Sequence, residues 1–541
     1  MQFPGVPVSP PWLALLPPIM AILLCFLTKR VLFSLFIGIL SGAMLLAKLN
    51  PFSAVANTAV LYVHSLAGVS VSAEGVMEID LFHPTIILFD FVIGGLVGLI
   101  YLSGGAQGFA NLITSKVKTR RGGQLASAAM GCAIFFDDYS NTIIVGNSMR
   151  PVADRLKISK EKFSYVLDST AAPIATIAII STWIGYEVGV IGDALKALPE
   201  AFPSGAYMLF LDSIPYSFYS IFALLLVFLI ASTSRDFGPM LDAEHRSITT
   251  GKLIRDGATP LLKETNLEVM EDAPKKAINF LIPILFLIGI SLFGMWWTGG
   301  GPGGESFINA IANSDSMLAL LWGSIGATLV AMVMYGIQGI ANLSRMMDAF
   351  INGAKMMILA NLILVSAWSI SAICGQVGTA NYVIGISESA LRPWILPALI
   401  FVISGFIAFS TGTSWATMGI VIPIALPLAY SLGVPLHIVT AAVLTGSIFG
   451  DHCSPISDTT VLSSTFAGSD HLDHVKTQMP YALLVASVTF FMFLLVSLDF
   501  DSLPLLLIAL FAGGLIIYSL LLFLSDKALK KRGVSPAELK K

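Results

Sequence analysis

Apolar stretches near 11–27, 31–49, 84–103, 123–149, 163–185, 209–232, 277–298, 317–337, 349–373, 393–430, 437–460, 479–498 and 503–524 follow one another from end to end of this 541-residue chain. Most approach the roughly 20 residues a helix needs to cross a bilayer, while 123–149 and 393–430 are long enough to fold back as helical hairpins. Lipid offers no partner to a bare backbone N–H or C=O, so the spans are read as helices. The pattern predicts an all-α polytopic membrane protein.

Composition agrees. The chain is 56% hydrophobic and 12% charged, with a mean hydropathy of +0.84, a balance that a water-exposed surface does not tolerate. The lipid bilayer is thus the first partner, and nothing points to a nucleic acid. No Lys or Arg precedes Lys29, so the first run lacks the basic start of a cleavable signal and is expected to be retained as a helix. Cys25, Cys132, Cys374 and Cys453 show no CxxC spacing and are read as packing residues.

The placement of positive charge says more than the net charge of −3. If the loop at Lys29–Arg30 is cytoplasmic, alternate loops hold 27 of the 30 Lys and Arg, and the other side keeps Lys48, Lys196 and Arg392. The positive-inside rule then predicts an outside N-terminus and a cytoplasmic C-terminus. That assignment closes only if 123–149 and 393–430 each enter and leave on one face, the first opening to the cytoplasm and the second to the outside.

The two halves also resemble each other. A shift of 270 lays Gly105, Gly108 and Asn111 on Gly375, Gly378 and Asn381; a shift of 276 lays Asp138, Asn141, Pro151 and Leu156 on Ser414, Thr417, Pro427 and Leu432; a shift of 282 lays Pro173 on Pro455. Repeat one is placed near 80–232 and repeat two near 349–498. The segments 1–79, 233–276, 277–348 and 499–541 are read as N-terminal helices, a cytoplasmic linker, connecting helices, and a last helix with a basic tail. With the hairpins on opposite faces the repeats would be inverted, an arrangement that places binding sites at the repeat interface near the midplane.

Polar residues intrude on this apolar frame at corresponding places. One is the second arm of each hairpin, with Asp137, Asp138, Asn141 and Thr142 in one half and Thr411, Thr413, Ser414 and Thr417 in the other. The second is a helix expected to open before a proline: Asp168, Ser169 and Thr170 before Pro173, and Asp451, His452 and Ser454 beside Pro455, followed by Ser457, Asp458 and Thr459. Charge at membrane depth is costly and normally faces a protein interior or an aqueous cavity. Carboxylates, hydroxyls and freed carbonyls together suit a hard cation such as sodium, and a buried carboxylate can carry a proton in its place. Asp138 and Asp458 are the leading candidates for that exchange. Adjacent on a helix, Asp137 and Asp138 would point about 100° apart, so one faces the site and the other a neighbouring helix.

Plainer roles compete. Asp137 or Asp138 could cap a helix or pair with Arg150 or Arg155, and the hydroxyls could join helix backbones. His452 beside Cys453 is too few ligands for a resident metal. Asp470, His471, Asp473 and His474 read as a solvated cytoplasmic loop, and GGGPGG at 299–304 as a turn. An intramembrane aspartyl protease would need YD and GxGD contexts that are absent, so no enzyme activity is expected.

The segments FFDDYSNTIIVGNSMRPVADRLKISKEKFSYVLDSTAAPIATI, TGTSWATMGIVIPIALPL and GDHCSPISDTTVLSS resemble the signature segments of the NhaC family of sodium/proton antiporters, within the ion transporter superfamily. The resemblance is dense over 127–185 and 404–480. It implies a two-repeat inner-membrane transporter, often homodimeric, with sodium and protons as the coupled ions and no cofactor. Family members similar to malate/lactate exchangers and amino acid carriers imply the alternative, a coupled carrier of a small organic solute.

Overall fold

The computed structural model describes residues 9–28, 30–71, 77–79, 81–114, 117–196, 198, 205–260, 274–379, 382, 392–500 and 502–533. Almost all are helical; the β structure among them is one antiparallel ribbon of Val69–Val71 with Met77–Ile79. Among the described residues eight helices are long and apolar enough to cross a membrane.

Fourteen helices carry the description. The first repeat contains α1 (Phe82–Leu102), α2 (Arg120–Ala133), α3 (Asp138–Arg155), α4 (Lys160–Ser169) and α5 (Thr182–Lys196). Then come α6 (Phe218–Thr233) and α7 (Gly238–Thr250). The second repeat contains α8 (Ile358–Val377), α9 (Leu396–Thr411), α10 (Ser414–Ser431), α11 (Leu436–Cys453) and α12 (Asp458–Ala467), before α13 (His471–Val496) and α14 (Leu503–Arg532). Local chemistry sets several starts: Thr119, Ser159, Ser457 and Asp470 each accept the N–H three residues on, satisfying a donor that the first helical turn leaves open.

The duplication has a structural signature. Phe82 and Ile358, Arg120 and Leu396, Asp138 and Ser414, Lys160 and Leu436, and Thr182 and Asp458 all open helices, and each pair is 276 residues apart. The packing is reciprocal: α3 of the first repeat lies on α12 of the second, and α10 of the second lies on α5 of the first. A two-fold relation between repeats produces such exchanged pairs. Both expected hairpins are present, as α2–α3 and α9–α10.

One sequence correspondence is corrected. The register of 276 continues unbroken past both prolines, so Pro173 and Pro455 are not equivalent. The open segment 454–457 of repeat two corresponds to the open segment 176–181 of repeat one. Repeat one opens a second time, at Thr170 and Ala171, just ahead of the short helix Ala172–Ala175 that carries Pro173. Each hairpin tip packs against an open segment of its own repeat. A Cβ on Gly131 would lie 2.1 Å from Thr170 Oγ1, and one on Gly412 would lie 2.6 Å from the Ile456 carbonyl oxygen. Gly412 also has φ +70°, which only glycine adopts without strain.

The stretch expected as a plain linker is docked over its described part. Glu244 of α7 takes the Arg120 guanidinium at 2.5 Å and the Ser159 N–H at 2.8 Å. Arg246 donates to both oxygens of Glu161 at 3.0 and 2.9 Å, and Asp236 pairs with fully buried Lys162 while accepting the Tyr481 hydroxyl at 2.6 Å. Further on, Arg255 donates to Asp473 at 2.5 Å, and the Thr259 N–H donates to Asp470 at 2.9 Å. Most of its charges are therefore half of a set of ion pairs whose other half lies on α2, α4, α13 and α14. The remainder, 261–273, lies outside the described residues.

The strap should respond to acid. Burial acts to raise the Asp470 carboxyl, but the Thr259 and Asp473 N–H groups, the Thr259 hydroxyl and Arg255 outweigh it and hold the group below its ordinary range. A depressed carboxyl contributes stability above its unfolded value of about 3.9, and that contribution is lost as pH falls through the lower folded value. Hydrogen exchange at the Thr259 amide, corrected for its intrinsic rate, should stay protected at neutral pH and lose protection below about pH 3.9. Asp470→Asn should lose that protection at pH 7. Equal protection of the wild type at pH 7 and at pH 2 would contradict the clamp.

Candidate functional site

Where α4 ends, Asp168 is fully buried and collects donors from the second repeat and from α13. Thr460 Oγ1 and Ser463 Oγ of α12 each donate to it at 3.1 Å, and Gln478 Nε2 of α13 does so at 2.5 Å. His474 Nε2 lies 3.4 Å from the same carboxylate. His452, near the end of α11, places Nε2 3.3 Å from the Asp168 carbonyl oxygen and Nδ1 3.1 Å from the Tyr219 hydroxyl. Gln478 also donates to the His452 carbonyl at 2.9 Å. The Asp168 carboxylate thus joins an interrupted helix of the first repeat to α12 and α13, and its backbone carbonyl meets α11.

Two flanking groups extend this network. Asp451, fully buried on α11, accepts from Thr459 Oγ1 at 2.8 Å; that hydroxyl lies 3.0 Å from Ser457 Oγ, which in turn accepts the Thr460 N–H. Ser454 Oγ, also buried, accepts the Ile456 N–H at 3.3 Å within the open segment. On the other flank, Asn141 of α3 donates through its amide to the carbonyls of Gly131 at 2.7 Å, Ile134 at 3.0 Å and Thr170 at 2.9 Å. It thereby closes carbonyls that the hairpin turn and the opened helix leave without helical partners. Its own Oδ1 is buried with no partner among the described residues.

Asp137 precedes α3 and accepts from Thr182 Oγ1, at the start of α5, at 3.0 Å. Asp138, Thr142, Ser169 and Thr170 are buried beside it on α3 and at the end of α4. In the register of 276, Asp137 and Thr182 correspond to Thr413 and Asp458. Carboxylate and hydroxyl exchange places between the copies. Asp458 opens α12, and its side chain lies outside the described residues.

The hydroxyls of the second hairpin behave differently. Thr411 donates to the Ile407 carbonyl and Thr417 to the Thr413 carbonyl, each at 3.0 Å, so both bond their own helix backbone. Ser414 and Thr413 are buried nearby. This arm meets α5 through aromatic packing: Trp415 lies 4.9 Å from the Trp183 ring and 4.7 Å from the Tyr186 ring, and its carbonyl accepts the Tyr186 hydroxyl.

His474 corrects an expectation. It is fully buried and faces Asp168, not solvent. The polar run around it starts α13 at the Asp470 cap, and the helical spacing from His474 to Gln478 turns both side chains inward. That spacing, with Thr460 and Ser463 three apart on α12, was a readable signal. Two further buried acids went unselected: Asp90, inside the apolar run of α1, and Glu187 of α5, both of whose oxygens lack a partner among the described residues. A lone acid in a spanning run is itself a sign of function. Among the described residues no group of His, Cys, Asp and Glu is arranged to hold a resident metal ion.

Residues 174–498 match the family described as the Na+/H+ antiporter family. An uncharacterised protein of Haemophilus influenzae is 34% identical over 500 residues, covering 91% of this chain and 92% of its own. The malate-2H(+)/Na(+)-lactate antiporter of Bacillus subtilis is 31% identical over 149 residues, 28% of this chain and 32% of its own. The solved YdaH transporter of Alcanivorax borkumensis shares the fold, with a TM-score of 0.55 at 13% identity over 83% of this chain and 98% of that one. The motif resemblance is thereby borne out: this chain is a multi-pass membrane protein of the secondary transporters and belongs to the Na+/H+ antiporter family.

Proposed function

We propose that the protein exchanges sodium for protons across the inner membrane, with inverted repeats, an outside N-terminus and a cytoplasmic C-terminus. The observation that carries this is the buried Asp168 carboxylate, set at an opened helix and ringed by hydroxyl, amide and imidazole groups of the other repeat and α13. Sodium is the cargo. Its oxygen ligands would come from Asp168, Asp451 and the Asp137–Asp138 pair, with Asp458, Thr459, Thr460, Ser463 and freed carbonyls in support. A carboxylate that holds either the cation or a proton couples the two by competition. The imidazoles of His474 and His452 lie beside the same residue, one at its carboxylate and one at its carbonyl oxygen.

In proteoliposomes holding a pH-sensitive dye, an inward sodium gradient should make the lumen alkaline, and the opposite gradient should reverse the signal. Sodium flux without a pH change would overturn the exchange. The similarity to a malate–lactate antiporter supports a second reading, the coupled exchange of a small organic acid. A panel of organic and amino acids separates the two, because one solute that raises the unfolding temperature well beyond sodium alone identifies an organic cargo.

A further inference from the structure

A cavity of about 810 Å³ lies among the start of α2, the turn between α3 and α4, the end of α6, and α14. Six of its lining residues are cationic, Lys118, Arg120, Arg121, Arg155, Lys157 and Arg235, and none is acidic. Two of the six are engaged elsewhere, Arg120 with Glu244 and Arg235 with Asp526. Among the described residues the Arg155 side chain reaches only the Val117 carbonyl, at 3.5 Å. Among the described residues no hydrogen bond or ion pair occupies the side chains of Lys118, Arg121 or Lys157, all three residues exposed. Thr119 and Ser234 add hydroxyls to the same wall.

Such a cluster repels itself unless an anion sits within it. The ligand chemistry is a phosphate oxyanion, which guanidinium and ammonium groups bind through charge-assisted hydrogen bonds. The fourth wall says where the phosphate comes from. It is formed by Tyr518 and Leu522 of α14, a helix whose Phe511, Leu515 and Phe523 stand exposed as lipid-facing side chains would. A tyrosine where charge gives way to an apolar helix is typical of the headgroup level. Loops of this side carry the excess of Lys and Arg, which makes the face cytoplasmic, where basic pockets between helices take anionic headgroups.

We propose that this pocket binds the phosphate of an anionic phospholipid, with the acyl chains lying along α14. The inference does not depend on which ion the protein exchanges. The test uses delipidated, full-length protein in detergent, with unfolding temperature and native mass spectrometry as readouts. Phosphatidylglycerol should raise the unfolding temperature by several degrees and be retained in the gas phase. Phosphatidylcholine and inorganic phosphate should do neither. Lys118→Gln/Arg121→Gln/Lys157→Gln should abolish the shift while unfolding at the wild-type temperature without lipid, and Lys118→Arg/Lys157→Arg should keep it. A full shift in the triple glutamine variant, or equal stabilisation by phosphatidylcholine, overturns the site. The same shift from inorganic phosphate alone overturns the lipid as its source.

Discussion

Asp168→Asn should abolish coupled transport while leaving a folded protein. The carboxylate accepts from Thr460, Ser463 and Gln478; an asparagine amide offers one acceptor in place of two and turns a donor toward groups that themselves donate. Each charge-assisted bond lost is worth about 1.5–3 kcal/mol, and every 1.4 kcal/mol is about tenfold, so a fall of about a hundredfold or more is expected. The cation would also lose its central negative ligand. Two measurements separate this from misfolding: elution as a single species on size exclusion, and loss of sodium-dependent thermal stabilisation. Wild-type exchange by Asp168→Asn would remove Asp168 from the site.

The second large effect falls on stability. Lys162 is fully buried on α4 and its ammonium is matched by Asp236, which the Tyr481 hydroxyl also holds. Asp236→Ala leaves a buried cation with no counter-charge, a change that costs about 3–5 kcal/mol in comparable pairs. Replacing both partners by apolar residues of similar volume, Lys162→Met with Asp236→Leu, should recover most of the loss, since the pair itself contributes little net stability. Denaturant unfolding in detergent measures both. A loss under about 1 kcal/mol in Asp236→Ala would mean that water reaches the lysine.

The legible parts of the fold were those written in run length and in proline. The stretches 123–149 and 393–430 exceed one crossing, and both are hairpins. Pro455 lies inside the opened segment 454–457. The register between the repeats was legible only in part, because few identities survive and prolines are placed for local reasons. Helix starts preserve it better, since an insertion inside a packed helix rotates every later side chain by about 100°. Asp168, the proposed centre of the site, was named but placed behind Asp138 and Asp458, because nothing local in the sequence distinguishes it from Asp138. Its partners, His474 and Gln478, stand roughly 300 residues away behind a sequence whose charge suggests water. The strap fastens the start of the same helix, through Arg255 to Asp473 and Thr259 to Asp470.

That strap also limits how the molecule can move. Through it and through Asp168, α4 and α13 are joined at several points, with α7 and the base of the first hairpin fastened to the same body. On the proposed exchange, a rearrangement that exposes Asp168 to either side would keep these bonds only if those parts moved together. The seam between α5 and α10 is of another kind: the Trp415 ring meets Trp183 at a tilt and Tyr186 edge-on, so apolar ring contacts and one hydroxyl–carbonyl bond, rather than ion pairs, close it.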